Sequence, residues 1–92
     1  MDLIHELRLI QNWVSENTQL CECSVDLKFD GNEIKINIAV RCGWDWLTDV
    51  TKNFNACDWE TNKNGADEFV RNFEYKQYAN VTLENWQTYK SE

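Results

Sequence analysis

The chain has 92 residues, 42% of them apolar and 27% charged, with sixteen acids against nine bases for a net charge of −7 and a pI near 4.6. These proportions exclude a disordered tail, and no apolar run approaches the roughly 20 residues needed to cross a bilayer. The charge opposes direct contact with a phosphate backbone, so no direct nucleic-acid ligand is expected, and without a spanning stretch no membrane partner is expected either.

A chain this short has room for one domain, expected over residues 1–92, with a single core filled largely by aromatic side chains that each bury about 150–250 Å². The N-terminal residues Met1–Glu6 lack the basic and continuously apolar regions of a signal peptide. A cytoplasmic site of action is therefore expected, the host cytoplasm if the chain is phage-encoded. There Cys21, Cys23, Cys42 and Cys57 are expected as reduced thiols.

From Asp2 to Glu16, Leu3, Leu7, Ile10 and Val14 recur at helical spacing, with Ile4 and Trp13 beside them, and Asn17-Thr18-Gln19 ends the pattern. Next, Cys23, Val25, Leu27 and Phe29 alternate with polar residues, as do Ile34, Ile36, Ile38 and Val40 after Asp30-Gly31-Asn32. This predicts a β-hairpin with one apolar and one wet face. Two turns fit: Asp30-Gly31 in type I′ or Gly31-Asn32 in type II′, the second of which sets Cys21 opposite Cys42 and Phe29 opposite Ile34.

Between Gly43 and Gly65 the pattern is mixed. Trp46, Leu47, Val50 and Phe54 fall at near-helical spacing, which predicts a turn or short helix near Asp45–Lys52 and then a third strand near Phe54–Glu60. Asn62-Lys63-Asn64-Gly65 reads as a turn, with Asn64 capping a helix whose buried face is Ala66, Phe69, Val70 and Phe73, extending to about Gln77. Asn80 or Thr82 then caps a last helix carrying Leu83, Trp86 and Tyr89, unless Tyr78–Leu83 is a strand. The predicted class is α+β: an N-terminal helix, an antiparallel hairpin or three-stranded sheet, and one or two C-terminal helices on one sheet face.

Catalytic constellations are sparse. Base-assisted nucleophilic catalysis needs a histidine beside Ser, Cys or Thr, and the one histidine, His5, stands near a terminus, so no enzyme activity and no cofactor is expected. Four cysteines match a Cys₄ zinc site in number, but only Cys21 and Cys23 are close in sequence, and three of the four share the apolar parity of the hairpin, which favours packing over metal. Glu60–Gly65 resembles the first half of an EF-hand loop, then fails where Arg71 occupies the position of the bidentate glutamate. Asn80-Val81-Thr82 matches a glycosylation acceptor, without meaning in an unsecreted chain.

Acidity is distributed unevenly: residues 1–44 hold seven acids and four bases, 45–74 seven and three, and 75–92 two and two. At the start of the middle segment and within it, Trp44-Asp45-Trp46 and Asp58-Trp59-Glu60 interleave tryptophan with carboxylate. An exposed tryptophan ringed by acids has the make-up of an interface anchor, so Trp44, Asp45, Trp46, Asp49, Asp58, Trp59, Glu60, Asp67 and Glu68 are the candidate partner-binding residues.

In size, acidity and lack of paired catalytic groups the chain is similar in general character to the small inhibitors phages make against CRISPR and restriction enzymes, and to immunity proteins against nuclease toxins. The likeness lies in no motif and assigns no residue. It implies an inhibitor or adaptor that occupies a basic groove on a nuclease or other nucleic-acid-binding enzyme. A cysteine-based zinc domain is the alternative from another class.

Overall fold

A computed structural model describes residues 3–89. The first element, α1 (Leu3–Asn17), buries Leu7, Ile10 and Val14, the stripe that the helical spacing marks out, with Leu3 and Trp13 partly covered beside it. Its end is closed by side chains: Asn17 Nδ2 donates to Trp13 O at 2.9 Å, and the Thr18 hydroxyl lies 2.6 Å from Val14 O and 3.1 Å from Cys21 O. A hydroxyl has one proton, so those two carbonyls are alternative acceptors.

Strands β1 (Cys21–Asp30), β2 (Glu33–Cys42) and β3 (Asp45–Asn55) form an antiparallel meander in that order, with β2 at the centre. Of the two possible turns the chain uses Gly31-Asn32. Gly31 has φ +62° and among the described residues no non-glycine φ is positive, the type II′ signature; the register pairs Phe29 with Ile34 and Cys21 with Cys42. Ile36, Ile38 and Val40 are fully covered on the inner face, while Glu22, Ser24, Asp26 and Lys28 are exposed on the outer one. Helix α1 also shields the free edge of β1, where Gln11 Nε2 donates to Cys23 O at 3.2 Å.

The third strand occupies Asp45–Asn55, not Phe54–Glu60, and neither turn nor helix fills 45–52. A β-bulge explains the misleading spacing. Val40 pairs with Thr48 and Arg41 with Trp46, so Leu47 is the extra residue; it turns into the core and is 1% exposed. The strand's inward positions thus run Leu47, Thr48, Val50 and Phe54, interrupted by Lys52, whose partner is the inward Ile36. An inward-parity lysine and a bulge on an outer strand both discourage pairing with another chain.

After β3 a 3₁₀ turn (Ala56–Asp58) is held to the hairpin tip by Ala56 N–H donating to Asn32 O at 2.6 Å, with Asn55 Oδ1 accepting from Cys57 N–H at 2.8 Å. Helix α2 (Trp59–Arg71) follows directly. It starts well before the expected Asn64 cap and stops at Arg71 rather than Gln77. Trp59 lies seven residues before Ala66, on the same face, and Asn62 Nδ2 donates back to Asn55 O at 3.1 Å, so the apparent turn cluster is helical.

Gly65 is consequently a helix-interior glycine without positive φ, and a Cβ there would meet Phe54 Cε1 at 3.5 Å, an ordinary contact. Gly65→Ala should stabilise the fold by about 0.5–1 kcal/mol through reduced freedom of the unfolded chain. Urea unfolding should show a higher midpoint at unchanged slope; a lower midpoint would mean that Phe54 cannot accommodate the methyl.

Residues 72–89 form two 3₁₀ turns, Lys76–Asn80 and Trp86–Tyr89, in place of a last helix or strand. Thr82 does act as a cap: its N–H donates to Asn85 Oδ1 at 2.7 Å while Asn85 N–H donates to Thr82 Oγ1 at 3.3 Å. Trp86 and Tyr89 pack on the core, whereas Leu83, expected to pack with them, is 75% exposed. Trp13 of α1, edge-on to Tyr75 at 5.5 Å, ties this tail down, and Phe73 stacks on Tyr78 at 6.5 Å within it.

Candidate protein-binding site

The β2–β3 turn is a second tight hairpin. Cys42 pairs with Asp45, leaving Gly43 and Trp44 as the two turn residues, and Gly43 takes φ +62°, a conformation that side chains rarely adopt. Trp44 therefore stands at the tip, 96% exposed, and no packing in this fold accounts for it.

One residue beyond the tip, the outer sheet face begins with a rung of three: Glu22 on β1, Arg41 on β2 and Trp46 on β3. Arg41 Nε donates to Glu22 Oε2 at 2.9 Å, Nη2 reaches the same oxygen, and the guanidinium carbon lies 5.9 Å from the Trp46 ring centroid. Carboxylate and indole thus hold one cation between them, and Trp46, 47% exposed, is steadied at the surface. These three residues and Ser24 border a shallow groove of about 250 Å³. Asp49 Oδ1 lies nearby on β3, accepting from Asn37 Nδ2 at 2.8 Å.

The fold divides the nine residues expected to bind a partner. Trp44, Asp45, Trp46 and Asp49 come together at and beside the turn. Asp58, Trp59 and Glu60 begin α2 at the opposite end of β3, which at about 3.3 Å per strand residue is roughly 30 Å from the turn and roughly 20 Å from Asp49 in mid-strand. There Trp59 is half-buried and lines, with Leu27, Phe29 and Asp67, an open groove of about 700 Å³; Glu68 is exposed further along α2. No local motif marks Glu22 and Arg41 as site residues, although the Gly31-Asn32 register alone sets them opposite each other. Phe29, 73% exposed on the inner parity beyond the cover of the helices, had no sequence signal.

Cys21, Cys23 and Cys42 are buried along the inner face and Cys57 is exposed. Burial, reinforced by Cys42, pushes the Cys21 thiol up to about 11, and burial alone does the same for Cys23. Tyr78 beside them is raised too, by burial above all, with a hydrogen bond to Thr48 acting against the shift and Cys21 and Cys23 adding to it. Among the described residues no three His, Cys, Asp or Glu gather to hold a metal ion, and Glu60–Gly65, the EF-hand lookalike, lies within α2. No described helix is long and apolar enough to cross a membrane.

No protein-family model, curated protein or solved structure matches the chain. What the architecture defines is a small α+β domain, a three-stranded meander with helices on its inner face and its outer face open.

Proposed function

We propose that this chain is a protein-binding inhibitor or adaptor that docks on a basic surface of its partner through the β2–β3 turn. The observation that carries this reading is Trp44, a full indole presented at the tip of a two-residue turn. Burying such a side chain at an interface removes about 150–250 Å² of largely apolar area from water, the scale at which single tryptophans become binding hot spots. Trp46 and the cleft beside it extend the contact, and Asp45 and Asp49 supply negative charge against a cationic rim. A nuclease or other nucleic-acid-binding enzyme, whose groove is basic by necessity, is the partner class that fits this charge.

The test is affinity capture from the native host with wild type and Trp44→Ala side by side, followed by binding measurements on the protein retained. Trp44→Ala should weaken binding by about 30-fold or more, equivalent to roughly 2 kcal/mol, with an unchanged circular dichroism spectrum. Charge reversal at Asp49 should slow association and reduce its salt dependence, whereas reversal at Asp58 or Glu60, at the far end, should do neither. Equal capture by wild type and Trp44→Ala would overturn the reading.

A further inference from the structure

We propose that Cys21 and Cys42 are a thiol–disulfide site, a cross-strand pair placed to be bridged when the chain meets a disulfide oxidant such as oxidised glutathione. The inference concerns the hairpin alone and does not depend on the partner-binding reading.

Register carries it. In a hairpin closed by a two-residue turn the flanking pair, Asp30 and Glu33, exchanges backbone hydrogen bonds, and hydrogen-bonded and non-hydrogen-bonded pairs alternate from there. Counting back from Asp30 to Cys21 is an odd number of steps, so Cys21 and Cys42 form a non-hydrogen-bonded pair. Such pairs set Cα atoms about 4.5 Å apart with their side chains close, inside the about 4.4–6.8 Å that a disulfide spans. Cys23 shares the face but stands opposite Val40, which makes its approach to Cys42 the longer diagonal, about 7–8 Å. In keeping with that register, Cys42 is near enough to Cys21 to add to the rise of its thiol pKa, and it is not among the causes acting on Cys23.

The chemistry balances with glutathione disulfide as the oxidant. One cysteine thiolate attacks a glutathione sulfur, the S–S bond of the oxidant breaks, and a glutathione thiolate leaves and takes up a proton. The second cysteine thiolate then attacks the protein sulfur of the mixed disulfide, forming the Cys21–Cys42 bond and expelling the other glutathione. Two thiols are oxidised and one disulfide is reduced to two thiols. Both sulfurs are buried in the folded chain, so the exchange proceeds when the open end of the hairpin frays or as the chain folds. The product ties β1 to β2 immediately before Gly43 and Trp44, at the base of the exposed turn.

The experiment uses the full chain carrying Cys57→Ser, which removes the exposed thiol and with it intermolecular products. Reduced protein is unfolded in urea, refolded in a mixture of reduced and oxidised glutathione, quenched by alkylation and mapped by peptide mass. The Cys21–Cys42 link should predominate over Cys21–Cys23 and Cys23–Cys42, and should raise the thermal midpoint by roughly 10 °C or more over the reduced form. Wild type mapped in the same way controls for any folding defect of the variant. A preponderance of either Cys23 link, three thiols left free or capped by glutathione, or a bridged form no more stable than the reduced one would overturn the proposal.

Discussion

Ile38→Ala is expected to cost about 2–5 kcal/mol, a large share of the roughly 5–14 kcal/mol that a domain of this length possesses. Ile38 is fully covered at the middle of the central strand, between Val25 on β1 and Val50 on β3. Its truncation removes contacts to both neighbours and to the helices above, and strands hydrogen-bonded on both sides cannot close on the gap. A small domain has one core, so this loss has no second core to offset it. Urea unfolding should show a much lower midpoint, with part of the population unfolded at physiological temperature. Phe29→Ala, on the same face but 73% exposed, should change stability by less than about 0.5 kcal/mol. A similar loss from both substitutions would mean that the hairpin tip is covered in solution.

The hairpin was legible because two independent signals agreed: strict alternation on both arms, and a glycine where positive φ is required. Its register stayed open between two turns, because both keep the inward residues on one face, and the chain uses Gly31-Asn32. In β3 the signals conflicted. The bulge at Leu47 shifts parity by one, Lys52 occupies an inward position, and the surviving apolar residues Leu47, Val50 and Phe54 imitate helical spacing. Only pairing with β2, a non-local fact, decides the matter.

The start of α2 was obscured in the opposite way. Asn62-Lys63-Asn64-Gly65 has turn chemistry locally, but Asn62 is drawn into a bond with Asn55 O, and Gly65 faces Phe54 where a small residue suffices. Tertiary contact overrode local propensity. For the candidate site, tryptophan beside carboxylate was visible at two places in sequence, yet which indole is exposed was not. Trp44 is solvent-facing because a two-residue turn has no neighbour to cover it, and Trp59 is half-covered because it begins a helix packed on the sheet. Proximity in sequence also suggested one acidic patch, and an intervening extended strand makes it two.

The thiols offer the second large effect. In reductant at neutral pH, Cys57 should react with an alkylating reagent at the rate of a free thiol, while Cys21, Cys23 and Cys42 should be slower by about 10³-fold or more, because they wait for opening of the core. Denaturant should bring all four to one rate. Raising the pH should then destabilise the fold for the same reason that the thiols are protected. The folded chain holds the protons of Cys21 and Cys23 up to about 11, whereas the unfolded chain releases them from near the ordinary value of 9.0. Between those limits the unfolded state binds fewer protons than the folded one, so stability is fully present below about pH 9 and falls as the pH climbs towards 11. Tyr78, raised by burial, adds to the loss at the upper end. Urea midpoints measured across this window should decline steeply in wild type and more gently in Cys21→Ala/Cys23→Ala. An equal decline in both would assign the alkaline loss to other groups, and rapid labelling of Cys21 or Cys23 in the native state would show that the end of the sheet beneath Tyr78 is open rather than packed.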